Sequence, residues 1–179
     1  SVDDEATRAF IHLNYGPWER LNNNTPFMPG VGPKPAGANF YPADMSDEEF
    51  EAFKAIDKTS LYTLVRRNEA GELQTVPYSV AYREEHQKAA ELLRKAAMLA
   101  EYEPLKNYLN LRADALLSDN YLASDLAWMD MRENKIDFVV GPIENYEDAR
   151  YNYKAAHEAY LLIKDLEWSQ RLDRFTALL

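Results

Sequence analysis

The stretch Ile136–Tyr153, IDFVVGPIENYEDARYNY, decides how the chain is read. Ile136 to Val140 is a short apolar run that meets Gly141-Pro142, which predicts a brief buried strand stopped by a turn. Carboxylates and phenols then crowd together: Glu144, Tyr146, Glu147 and Asp148, with Asp137 earlier on the strand. A carboxylate just past a strand end can hold an ammonium group. A phenol there can donate to a carbonyl oxygen that gains negative charge during attack. Acidic residues ahead of a helix also serve as N-terminal caps, and Glu147 and Asp148 are assigned that role. Beyond them, Glu147 to Leu179 is rich in Ala, Leu, Glu and Lys and predicts a long helix. It would carry His157 as a surface or partly packed helix residue.

Upstream, the pattern is mixed. Asp3 to His12 predicts a short helix. Residues 14–42 hold six of the nine prolines and four of the six glycines, so no long helix survives there. Tyr15, Trp18, Phe27, Met28, Phe40 and Tyr41 lie in the same stretch, which points to an ordered, irregular segment pinned by its aromatics. Ser46-Asp47-Glu48-Glu49 is a capping box and predicts a helix of about ten residues with Phe50 and Phe53 inside. Leu61 to Val65, a turn at Asn68–Gly71 and Val76 to Tyr82 read as a hairpin whose second arm Pro77 weakens. From Arg83, Ala89, Leu92, Leu93, Ala96, Ala97 and Ala100 recur at helical spacing. Pro104 opens a second helix with Leu105, Tyr108, Leu109, Leu116 and Leu117, and Ser118 or Asp119 is expected to cap a third. The expected fold class is α+β, predominantly helical, with a small β-hairpin and short-strand component. Its organisation is a single domain or lobe fragment over 1–179: an irregular segment at 1–45, helix plus hairpin at 46–82, and a helical part at 83–179 with the strand-loop 136–146.

Composition removes several classes of function. With a net charge of −10, the chain lacks the cationic surplus that phosphate neutralisation requires, so no nucleic-acid partner is expected. There is no cysteine, which excludes disulfides, thiolate catalysis and cysteine zinc sites. No run of about 18 apolar residues exists to span a membrane. His157-Glu158 opens an HExxH pattern, but Leu161 stands where the second histidine belongs. Arg83-Glu84-Glu85 resembles the centre of a Nudix box without its flanking glycines, and is read as the charged first turn of a helix. GxSxG, Walker and Rossmann patterns are absent.

Four blocks carry a family resemblance: NYGPWERLNNNTPF, KPAGANFYP, SDLAWMDM and VVGPIENYEDARYNYKAAHEAY. Together they resemble the dipeptidyl peptidase III family of zinc metallopeptidases, in its bacterial branch, from Asn14 to about Trp168. The resemblance implies part of a two-lobed peptidase that releases dipeptides from peptide N-termini. The family's zinc motif, HExxGH, is missing, so the resemblance implies no cofactor on this chain and zinc in the full-length parent. This chain alone is expected to be inactive. Its partners would be the N-terminus of a peptide substrate and the remainder of the parent polypeptide. In the family, the GxIExY glutamate holds the substrate's ammonium and the tyrosine contacts the substrate near the scissile carbonyl. These positions are Glu144 and Tyr146 here. The family usually has glycine where this chain has Asn152, and its assisting asparagines lie downstream. The alternative is a non-catalytic peptide-binding or scaffold module that retains the fold.

Overall fold

A computed structural model describes residues 4–176. In chain order its elements are α1 (Glu5–Leu13), β1 (Trp18–Glu19), β2 (Thr25–Pro26), α2 (Asp47–Ala52), β3 (Thr63–Arg67), β4 (Leu73–Pro77), α3 (Tyr78–Ala81), α4 (Arg83–Leu99), α5 (Glu103–Ser118), α6 (Leu122–Asp130), β5 (Ile136–Glu144), β6 (Ala156–Ile163) and α7 (Leu166–Thr176). The strands pair antiparallel as β1 with β2, β3 with β4, and β5 with β6. The α+β class is observed. Asp3 and the last three residues of the long predicted helix lie outside the described residues.

Two apolar clusters support the site. One joins α4, α5 and the start of α6 through Ala90, Leu93, Ala97, Tyr108, Leu109, Leu116 and Tyr121, and Phe138 and Val140 of β5 pack onto it. The other gathers Phe40, Tyr41, Met45, Phe50, Leu64, Val65 and Tyr78. Tyr62 touches both clusters. Each fully buried large side chain contributes about 1.5–3 kcal/mol. Phe40 and Tyr41 are thus core residues of an irregular segment, as aromatics among prolines suggest.

Several expectations are corrected locally. Ser46 does cap α2, its hydroxyl accepting the Glu49 N–H at 3.1 Å. The helix has six residues rather than ten, because the Lys58 ammonium takes up the carbonyls of Phe50 and Glu51 at its end. Glu49 turns its carboxylate to Arg67 instead of back to the cap. The hairpin turn falls at Asn68–Gly71 as expected. Its second arm ends early, at Pro77, and Tyr78–Ala81 is a helical turn. Asp119 explains this: its carboxylate accepts the Ser79 N–H at 3.0 Å and anchors the start of α3. Asp119 therefore does not cap α6. It ends α5 in the left-handed region at φ 59°. On α4 the inner row is His86, Ala90, Leu93 and Ala97, and Leu92 faces out.

The largest correction concerns the C-terminal part. Residues Glu147–Thr176 are not one helix, but an ordered connection, a strand and a separate helix, α7. His157 therefore sits on β6. Likewise β5 is nine residues long and continues through Gly141-Pro142, with Pro142 opposite His157 and Gly141 opposite Glu158. Helix propensity favours Ala-His-Glu-Ala-Tyr-Leu-Leu-Ile, but the backbone ladder offered by β5 overrides it. Gly141 permits the path: its φ is +124°, and a Cβ there would meet Tyr121 at 3.4 Å.

Candidate functional site

The connection between β5 and β6 is organised by Asp148, which is fully buried. Its carboxylate accepts from the Tyr41 hydroxyl at 2.5 Å and from the backbone N–H groups of Tyr153 at 2.9 Å and Lys154 at 3.1 Å. The Arg150 and Tyr151 N–H groups approach at 3.2 and 3.3 Å. Burial first, then the Asp148 bond, holds the Tyr41 phenol well above its ordinary range. Asn152, at φ 58°, closes the turn in the left-handed region that asparagine tolerates. That is the place where the family usually has glycine. Asp148 is thus an acceptor for a loop rather than a helix cap.

Lys154 completes the support. Its buried ammonium donates to the carbonyls of Lys58 at 2.7 Å and Ser60 at 3.0 Å, and to the Thr63 hydroxyl at 2.9 Å. Burial lowers its pKa to about 8. Tyr151 stacks on Phe50 with ring centroids 4.4 Å apart. The second cluster therefore holds the loop through Tyr41 and Phe50, and the loop presents Tyr146.

Glu144 ends β5, exposed, just past a break in register between Pro142 and Glu144. Such a bulge re-aims the side chains that follow. Tyr146 is 59% exposed, and its hydroxyl donates to Glu158 on β6 at 3.4 Å. The Tyr160 hydroxyl donates to the other oxygen of Glu158 at 2.7 Å. Negative charge on Glu158 is the largest influence raising the Tyr146 pKa, and Glu147 and Glu144 act in the same direction. Tyr160 is pushed up to about 12, chiefly by its bond to Glu158. Both phenols therefore stay protonated at neutral pH and remain donors.

A cavity of about 490 Å³ opens beside these residues. Tyr15, Trp18, Phe40, Tyr82, Tyr146 and Tyr160 supply its aromatic walls, and Arg20, Lys34, Glu147 and Glu158 its charges. Glu147 forms a two-pronged ion pair with Arg20, which ties the 14–42 segment to the site loop. Its assignment as a helix cap is thereby corrected. Asp137 stands apart, accepting from the Trp128 indole N–H at 2.9 Å. The structure thus brings Tyr146, Glu147 and Glu158 around one cavity, with Glu144 near the two phenols, and leaves Asp137 and Asp148 to structural bonds. Glu158 and Tyr160 are missed by sequence reading, because a helical period does not align them with Tyr146. Strand alternation, which puts Ala156, Glu158 and Tyr160 on one face, would have found them.

His86 and His157 face each other through Nε2 at 2.8 Å, and His86 Nδ1 lies 2.6 Å from the Leu116 carbonyl. The carbonyl requires a proton on His86 Nδ1, so His86 Nε2 accepts and His157 Nε2–H donates. His157 is exposed as a residue, while its ring packs against Tyr78, Tyr82 and His86; desolvation of the ring and then the facing His86 lower its pKa to about 4. Zinc, implied by the family, finds no fit in this geometry. Among the described residues no three His, Cys, Asp or Glu side chains converge as a metal site, and these two imidazoles spend their facing nitrogens on each other.

No protein-family model matches the chain. A DPP III structure from Caldithrix abyssi matches with a TM-score of 0.91 and 43% identity, over 98% of this chain and 35% of that one. A dipeptidyl-peptidase III structure from Corallococcus sp. strain EGB matches with a TM-score of 0.87 and 42% identity, over 97% of this chain and 33% of that one. Nudix hydrolase 3 of Arabidopsis thaliana is 31% identical over a 216-residue alignment covering 90% of this chain and 28% of the plant protein. The chain spans about a third of the length of the two structures it matches.

Proposed function

We propose that the chain, which is similar to dipeptidyl peptidase III structures over almost all of its length, forms one wall of a peptide-binding cleft in a zinc peptidase. That enzyme would release dipeptides from free N-termini. In this reading Glu144 receives the substrate's ammonium and Tyr146 donates to the carbonyl under attack. Fixing the amine at Glu144 sets the cleaved bond two residues away. The metal and its base would come from the remainder of the parent polypeptide.

The observation that carries the reading is Tyr146: a protonated phenol at the edge of an aromatic cavity, on a loop anchored from beneath by Asp148. A donor so placed stabilises an oxyanion only if its loop is rigid. Here the loop is held through a buried carboxylate and a buried ammonium. Nudix chemistry has no comparable support. Glu84 and Glu85 are exposed in the first turn of α4, and neither lines this cavity.

The test is hydrolysis of a dipeptidyl-arylamide by the parent polypeptide carrying Glu144→Gln. Loss of a charge-assisted bond to ammonium lowers kcat/KM by about 10–100-fold, with the thermal unfolding midpoint unchanged. Unchanged kinetics would remove Glu144 from the site. A parent that binds peptides but releases no dipeptide would favour the scaffold reading.

A further inference from the structure

We propose that Glu158, held by Tyr146 and Tyr160, is a second carboxylate on the ligand's ammonium group, so that the amine is received inside the cavity that β6 lines together with the 14–42 segment. The inference rests on the peptide-amine reading above and adds two residues to it. Glu147, the other carboxylate of the cavity wall, is neutralised by Arg20, with Lys34 at 3.9 Å. Glu158 accepts from two neutral phenols and, among the described residues, forms no ion pair. A carboxylate satisfied by neutral donors keeps its full charge for a cation.

Placement supports the same assignment. Gly141 lies opposite Glu158 and Ala156 opposite Glu144, so both carboxylates rise from neighbouring parts of one two-stranded sheet. Tyr146 feels the charge of both, and so does Tyr160. Glu144 is exposed and lies outside the lining of the cavity, whereas Glu158 lines it. Trp18 and Tyr82 line the same cavity and add aromatic surface that attracts cations, while the Tyr15 ring lies under Arg20. One carboxylate, two phenol donors and aromatic walls suit a primary ammonium on a short peptide stem. The two phenols also fix the carboxylate's orientation, so little is lost in ordering it when the amine arrives.

Calorimetric binding of a free-amine tetrapeptide and its N-acetyl form to the 179-residue chain tests this. The unmodified chain should prefer the free amine by at least about tenfold, the worth of one charge-assisted bond. Glu158→Gln keeps an acceptor for the phenols and should abolish most of that preference without moving the unfolding midpoint. Glu158→Asp, which keeps the charge, should restore part of it. Full preference in Glu158→Gln together with its loss in Glu144→Gln would overturn the role of Glu158 and leave the proposed function standing. Equal binding of the two peptides by the unmodified chain would overturn both.

Discussion

Replacing Asp148 by alanine removes the acceptor on which the site loop is built. Five donors lose their partner: the Tyr41 hydroxyl and the N–H groups of Arg150, Tyr151, Tyr153 and Lys154. The Arg150 and Tyr151 bonds are long, at 3.2 and 3.3 Å, and both residues keep some solvent contact. Tyr153 is 37% exposed, and its N–H bond to Asp148 is only partly buried. The Lys154 N–H and the Tyr41 hydroxyl belong to buried residues and are stranded. At about 1–3 kcal/mol for each stranded donor, the loss is about 4 kcal/mol. That is a large part of the roughly 5–15 kcal/mol that holds a domain together. Asp148→Asn keeps one acceptor oxygen. If that oxygen stays with Tyr41, Tyr153 and Lys154, the amide group meets only the two weaker donors, and the cost falls to about 1–2 kcal/mol. Tyr41→Phe leaves Asp148 with four donors and should cost about 1 kcal/mol. Urea unfolding read by tryptophan fluorescence measures all three. With a slope of about 2 kcal/mol per molar, Asp148→Ala shifts the midpoint by about 2 M. A shift below about 0.5 M, or equal shifts for Ala and Asn, would refute Asp148 as the support of the loop.

Three further outcomes follow from the same geometry. His157 should titrate near pH 4 in a histidine NMR series. Its unfolded form binds a proton more readily, so its contribution to stability is complete above about pH 6.5 and is lost as pH falls toward 4; a midpoint at or above 6.5 would contradict the pairing with His86. Gly141→Ala places a side chain at φ +124° against Tyr121, and should lower stability by about 1–3 kcal/mol in thermal unfolding. Asp119→Ala removes the acceptor of the Ser79 N–H, and should cost about 1 kcal/mol in the same assay, with Asp119→Asn recovering about half.

Much of this architecture is legible in the sequence wherever local chemistry and tertiary packing agree. Ser46 caps a helix, Pro104 opens one, and the Asn68–Gly71 turn joins two strands. The aromatics among the prolines of residues 14–42 mark an ordered segment, two of them in the core. Reading fails where a distant partner decides. Asp119 looks like the cap of the helix after it, yet serves Ser79, forty positions upstream. Glu147 and Asp148 look like caps because acidic residues precede a helical composition, but their partners are Arg20 and Tyr41. The strand β6 is hidden by residues that favour helices, and with it Glu158 and Tyr160. The likeness to dipeptidyl peptidase III, carried by blocks spread along the chain, agrees with both matched structures.

The amine-anchored cleft is tested most directly by identifying products. The parent polypeptide would be incubated with an octapeptide bearing a free N-terminus and with its N-acetyl form, and the fragments weighed by mass spectrometry. Successive dipeptides from the free peptide, and none from the acetylated one, are the predicted result. Single amino acids, internal fragments, or equal cleavage of the two peptides would contradict it.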